Sequence, residues 1–185
     1  MSSSTSALKQ LPRDIASVVS HGQTYIFFIN EHHELAYLVT SSGDSKIYEH
    51  HVVSVTNGVD NNPRPPRAKC GTVAAVAWDG QGDHEIRIYY IVAEDGDCSK
   101  RGYVQEVAYN LANKWELGNL GYDEAGRHWV DSDASLSACA LVWPDKADLK
   151  VFASGKDDRG NLKLTKFFFD YAEEQWVKDI IPNRW

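Results

Sequence analysis

The chain is poor in the residues and runs that mark several large classes of protein. Only three cysteines, Cys70, Cys98 and Cys139, occur among 185 residues, at irregular spacing. No C-x-x-C pair or other metal-ligand spacing accompanies them, so no metal and no cofactor is expected. Cys139 lies in the small apolar run Ser137-Ala138-Cys139-Ala140-Leu141, where a buried reduced thiol is expected. No apolar stretch approaches the length that spans a bilayer. Met1–Ser6 has neither the basic start nor the apolar core of a secretory signal, so a cytoplasmic chain is expected. Positive charge is also in deficit, with 19 Lys and Arg against 26 Asp and Glu, a formal charge of -7. Phosphate backbones and anionic lipid repel such a chain, and neither nucleic acid nor membrane is expected as a partner. The G-x-S-x-G elbow, the Walker loop and the dinucleotide loop are all missing, so covalent, phosphoryl-transfer and nicotinamide chemistry have no support.

What the chain has is short β-rich segments and many aromatics: 6 Trp, 9 Tyr and 6 Phe. Runs with helical periodicity are scarce. One pattern occurs three times, at Thr24-Tyr25-Ile26-Phe27-Phe28, Ile86-Arg87-Ile88-Tyr89-Tyr90 and Leu149-Lys150-Val151-Phe152-Ala153. Positions 25, 87 and 150 are 62 and 63 residues apart, and a fixed period of this kind signals a repeat architecture. A small-residue segment precedes each run: Ile15–Val19, Val73–Trp78 and Leu136–Ala140. A third segment follows around 35–40, 103–110 and 162–170, and a fourth near 46–55, 114–120 and 175–181.

Four short antiparallel strands per repeat are the anatomy of a propeller blade, and small residues on the first strand suit a crowded central axis. The chain therefore reads as all-β, a single β-propeller domain over 1–185 with blades at about 14–56, 72–121 and 134–182. A β-sandwich would also supply short strands, but its strands need not recur in blocks of four. Three blades cannot surround an axis, and an open set leaves two raw sheet edges. A homodimer completing a six-bladed ring is expected on these grounds. The insert 57–69, with Pro63-Arg64-Pro65-Pro66, reads as a linker, and the insert 121–133 as loop decoration around His128, Trp129, Asp131 and Asp133. The doublets His32-His33 and His50-His51 read as surface histidines, since adjacent strand residues point to opposite faces.

The middle repeat carries a resemblance. It contains Ile86-Arg87-Ile88-Tyr89, then Gly102-Tyr103-Val104-Gln105-Glu106, then Lys114-Trp115-Glu116-Leu117-Gly118. These resemble the I-R-V-Y strand, the G-x-I-x-E strand and the closing W-x-x-G of fungal and bacterial fucose-binding lectins. The resemblance implies that Arg87 and Glu106 grip sugar hydroxyls, while aromatics of an adjoining blade stack on the apolar face of the sugar. Trp115 matches the closing tryptophan, and Tyr109 stands where the family has another. An Arg–Glu pair that merely ties two strands is the equally weighted alternative.

The other repeats depart from this pattern. Tyr25 and Tyr37 take the first-repeat positions of Arg87 and Glu106; Lys150 takes the Arg position of the third, where Phe169 and Trp176 keep aromatic character. Two functions follow. In one, aromatic walls drawn from Tyr25, Tyr37, Phe169 and Trp176 hold a hydrophobic small molecule, and one donor, Arg87, Lys150 or Tyr25, polarises a carbonyl to guide a cyclisation of the hetero-Diels–Alder type by confinement. In the other, the chain is a glycan-binding lectin of fucose type without catalysis. The loss of the sugar grip from two of the three repeats puts the first ahead, with the lectin as the alternative.

Overall fold

A computed structural model describes residues 12–40, 42, 46–56, 63–68, 70–79, 84–110, 114–122, 124, 126–143, 146–156 and 159–182. The N-terminal Met1–Ser6 segment and parts of the predicted turns, such as 80–83, lie outside the described residues.

Three four-stranded antiparallel sheets follow one another along the chain. The first holds β1 (Ile15–Ser20), β2 (Gln23–Ile29), β3 (Leu35–Thr40) and β4 (Tyr48–Val52). A two-stranded clip, β5 (Val55–Thr56) with β6 (Pro63–Arg64), leads onward. The second sheet holds β7 (Val73–Asp79), β8 (His84–Ala93), β9 (Arg101–Asn110) and β10 (Lys114–Leu117). A short β11 (Trp129–Asp131) adds to the far end of β9. The third sheet holds β12 (Leu136–Trp143), β13 (Lys146–Lys156), β14 (Leu162–Asp170) and β15 (Gln175–Ile181). Within each sheet the strands pair in chain order, as the meander of a blade requires. Among the described residues there is no α-helix, only a 3₁₀ turn at Glu94–Gly96.

The inner strands β1, β7 and β12 stand side by side, β7 in the middle. Their small side chains permit this, since Ala74, Ala75 and Ala77 of β7 let the sheets converge without steric conflict. Because side chains alternate along a strand, each blade has two faces, and the middle blade buries both. One face (Ile86, Ile88, Tyr90, Val107) packs with Phe27, Ile29 and Leu35 of the first blade. The other (Tyr89, Ile91, Val104) packs with Leu149, Val151, Ala153 and Phe167 of the third. The expected blade order and strand assignment hold, with two refinements. The fourth strand of the first blade is only Tyr48–Val52, because Val55 and Thr56 leave the sheet to pair with Arg64 and Pro63. The proline insert is more than a linker, since Leu35 N–H donates to Pro66 O and Ala68 N–H to His33 O, docking it onto the first blade.

Cys139 differs from expectation. It is exposed, on the face of β12 turned away from the middle blade, because the alternation that sends Ala138 and Ala140 inward sends Cys139 outward.

Candidate functional site

The register of the middle sheet decides what can meet in space. Arg87 lies opposite Val76 and Ala108, and Tyr89 lies opposite Glu106, so Arg87, Tyr89 and Glu106 share one face two residues apart. That face is turned to the third blade. Here a cleft of about 160 Å³ opens, with Arg87, Glu106 and Asn119 on one side and Leu149, Phe169, Tyr171 and Trp176 on the other. The aromatic wall is itself packed edge to face: Phe169 meets Trp176 at 6.0 Å and Tyr171 at 5.0 Å between ring centroids.

Glu106 is 4% exposed and held from several directions. Tyr89 O–H donates to its Oε1 at 3.2 Å, and Leu120 N–H to its Oε2 at 3.4 Å. Arg87 Nε stands 3.6 Å from Oε1. Burial pushes the carboxyl above the usual carboxylate range, and the Arg87 charge with the backbone and Tyr89 donors works against that rise. Arg87 also lies over the Trp78 ring, at 5.5 Å from its centroid. Its Nη1 approaches Glu85 Oε2 to 2.6 Å, yet neither of these buried atoms makes an aligned hydrogen bond. The guanidinium is thus charge-paired with both Glu85 and Glu106 where it lines the cleft.

Gly118, the last residue of the W-x-x-G segment, has a physical reason. Its N–H donates to Glu106 O at 3.0 Å, and a Cβ built there would lie 2.3–2.4 Å from the Glu106 side chain. Only glycine lets the fourth strand pass so close behind the buried carboxylate.

The residues predicted from the sequence fall into three groups. Arg87, Glu106, Phe169 and Trp176 come together in the cleft. Tyr109 and Trp115 do not join them. Tyr109 lies opposite Ile86, one step out of phase with Arg87, and so projects from the other face of the blade. There Tyr109, Trp115, Tyr25 and Tyr37 pack into one aromatic cluster, with Trp115 at 4.9 Å from Tyr109 and 5.6 Å from Tyr37. Tyr25 and Tyr37 do neighbour one another as their positions imply, at 5.9 Å. Burial raises the pKa of both phenols. The equivalent cleft between the first two blades is therefore filled by rings.

Lys150 is also displaced from its expected role. Leu149 and Val151 on either side of it face the middle blade, so Lys150 faces away, paired with Asp148. It shares no cavity with Arg87 or Trp176.

Sequence reasoning missed Asn119, Leu149 and Tyr171 as lining residues. Asn119 was recoverable as the neighbour of the glycine behind Glu106. Leu149 was recoverable from its phase, one residue from Lys150. Tyr171 sits in the β14–β15 turn, where its O–H donates to Ala147 O, and only the folded turn brings it in. The insert 121–133 is structural. His128 contacts Trp176 O at 3.0 Å, Lys178 donates to Trp129 O at 2.7 Å, and Lys156 N–H donates to Asp131 Oδ2 at 2.7 Å. It ties the second and third blades together beside the cleft. The doublet His50-His51 alternates as expected, His50 stacking on Phe28 and His51 on Tyr37. Among the described residues no cluster of His, Cys, Asp and Glu suited to a metal ion forms.

Three chain-ordered blades about a common axis define part of a β-propeller. Comparison with solved structures gives the particular likeness. The crystal structure of the fungal Aleuria aurantia lectin, described as a six-bladed β-propeller with a novel fucose recognition mode, matches at a TM-score of 0.63 and 18% identity. The match covers 90% of this chain and 47% of that one. An asparagine-to-glutamine mutant of the same lectin matches at 0.64 in two complexes, with α-methyl-L-fucoside (18% identity) and with Fucα1-6GlcNAc (17%). Those matches cover 91% of this chain and 48% of each solved chain. The chain thus spans about half the length of the solved structures it matches. No protein-family profile and no curated protein matches it.

Proposed function

We propose that the chain binds a small hydroxyl-rich ligand, a sugar of the fucose type, in the cleft between its second and third blades. The observation that carries this reading is Arg87 standing beside Glu106, a buried carboxylate, against the aromatic wall of Phe169, Tyr171 and Trp176. A guanidinium and a carboxylate side by side donate to and accept from neighbouring hydroxyls, while aromatic rings cover the C–H face of a pyranose. The fold shared with a fucose-recognising propeller points the same way.

The size of the cleft argues for a sugar over an extended substrate. At about 160 Å³ it is smaller than the pockets that take drug-sized molecules, which run from roughly 300 Å³ upward. Of Tyr25, Arg87 and Lys150, any one of which could serve as the polarising donor, only Arg87 lines this cleft. The geometry therefore lends the cyclisation reading less support.

The test is calorimetric titration of methyl-α-L-fucoside and an unrelated hexoside into the full chain. Saturable binding of the fucoside is expected, and Arg87→Ala should weaken it by roughly 2–5 kcal/mol, because Glu106 is left buried without its cationic neighbour. Binding that survives Arg87→Ala unchanged, or no binding of any monosaccharide, would overturn the sugar reading.

A further inference from the structure

Each end blade leaves one broad face uncovered. On the first blade Ile15, Val19, Tyr48 and Val52 are 61, 68, 39 and 39% exposed. On the third, Leu141, Leu162 and Leu164 are 56, 74 and 41% exposed. Isolated exposed apolar residues are ordinary, but contiguous sheet faces of them mark an interaction surface.

The registers show that these two faces are different in kind and complementary to each other. Ser17 lies opposite Ile26 as Ala75 lies opposite Ile88, so Ile15, Ser17 and Val19 hold the positions of Val73, Ala75 and Ala77. Those β7 residues are the ones that pack against the first blade. Cys139 lies opposite Lys150 as Val76 lies opposite Arg87, so Cys139 and Leu141 hold the positions of Val76 and Trp78. Those two are packed with Leu136, Ala138 and Ala140 of the third blade. The chain therefore makes the same blade-to-blade joint twice internally and ends on the two unmatched halves of a third.

We infer that a second copy of this chain occupies both faces, β12 of each copy lying against β1 of the other, in a twofold ring of six blades. The choice of a copy rests on register: the seam is continuous with two joints already built, and the outer face of β12 is the half that matches the outer face of β1. A head-to-tail joint that closes after two copies leaves no face free to extend into a filament. The seam also creates a cleft that one chain cannot complete. Lys150 and Lys166, paired with Asp148 and Asp179, stand in the register of Arg87 and Glu106. The wall that Trp115 and Trp176 supply elsewhere would come from the partner's Tyr48, which lies opposite Thr40 as Trp115 lies opposite Tyr109.

This assembly deepens the proposed reading but shares no residue with the Arg87 cleft, which lies within one chain, so the two fail separately. Sedimentation velocity of the full chain at micromolar concentration should give one species of twice 20.8 kDa. Ser17→Cys places a thiol at the counterpart of Ala75, which shares a packed cluster with Val18, the counterpart of Cys139. Oxidation by dioxygen with copper phenanthroline should join that thiol to Cys139, giving a covalent dimer on a denaturing gel that Ser17→Cys/Cys139→Ala does not give. Ile15→Asp/Val19→Asp should yield a monomer with an unchanged circular dichroism spectrum. A wild-type monomer at tens of micromolar, a larger open oligomer, or a dimer in which the thiol at position 17 does not bond to Cys139 would each overturn the inference.

Discussion

Arg87, Glu106 and Gly118 act as one unit, and each restricts what the others can be. A buried carboxylate needs donors, and Glu106 takes them from Tyr89, Leu120 and the nearby guanidinium. Gly118→Ala would drive a methyl group into that side chain. A loss of about 1–3 kcal/mol is expected, as for an overpacked core, together with loss of ligand binding. Urea denaturation checks the first, and Gly118→Ala/Glu106→Ala should recover much of the stability but not the binding, because the clash is gone while the acceptor is too. The raised pKa of Glu106 has a definite sign. The folded state holds the proton more tightly than the unfolded chain, so this group's contribution is fully present below the unfolded value. It is lost as pH rises through the folded one. Melting temperatures followed from pH 4 upward should therefore fall more steeply for the wild type than for Glu106→Gln, which cannot ionise. A Glu106→Gln curve parallel to the wild type would show that Glu106 is not perturbed.

Strand phase explains why chemically similar aromatics serve different ends. Tyr109 and Trp115 are one face out from Glu106, so they join Tyr25, Tyr37 and Phe27 in the joint between the first and second blades. Phe169 and Trp176 hold the same register positions one blade later and face the open cleft. Trp115→Ala should cost about 3 kcal/mol of stability through the cavity it leaves. Fucoside affinity, measured by titration at a temperature where the variant is folded, should be unchanged. Trp176→Ala should cost a similar amount, since that ring is 7% exposed and part of the core, and should also abolish binding. Loss of binding in both variants would mean that the aromatic cluster, not the Arg87 cleft, holds the ligand.

For the molecule as a whole, an arc with two apolar end faces ties stability to concentration. A chain whose folded dimer is favoured by mass action melts higher as it is concentrated, by RT ln of the concentration ratio in free energy. A melting temperature that rises over a hundredfold concentration range is expected for the wild type and not for Ile15→Asp/Val19→Asp. Cys139 offers a second readout, because an exposed thiol on an uncovered face reacts promptly with a thiol reagent, whereas one covered by a partner reacts slowly. Reaction of Cys139 should slow as protein concentration rises.

Much of this was legible along the chain because β-structure writes itself with a short period. The spacing of Tyr25, Arg87 and Lys150 revealed the repeat, the small residues before each run marked the inner strands, and the middle repeat singled out Arg87 and Glu106. These are local properties: propensity, alternation and spacing act within a few residues. What the fold alone decided is which faces meet. The resemblance marked Trp115 and Tyr109 as site aromatics, and a one-residue difference in strand phase turns them away from Arg87, toward the first blade. Lys150 likewise points away from Trp176 although both belong to the third blade. Cys139 reads as buried from its neighbours, yet it lies exposed on an end face of the three-blade arc. Pattern within a strand is set by the chain itself, whereas burial, the cleft and its aromatic wall are set by the next blade, some sixty residues away.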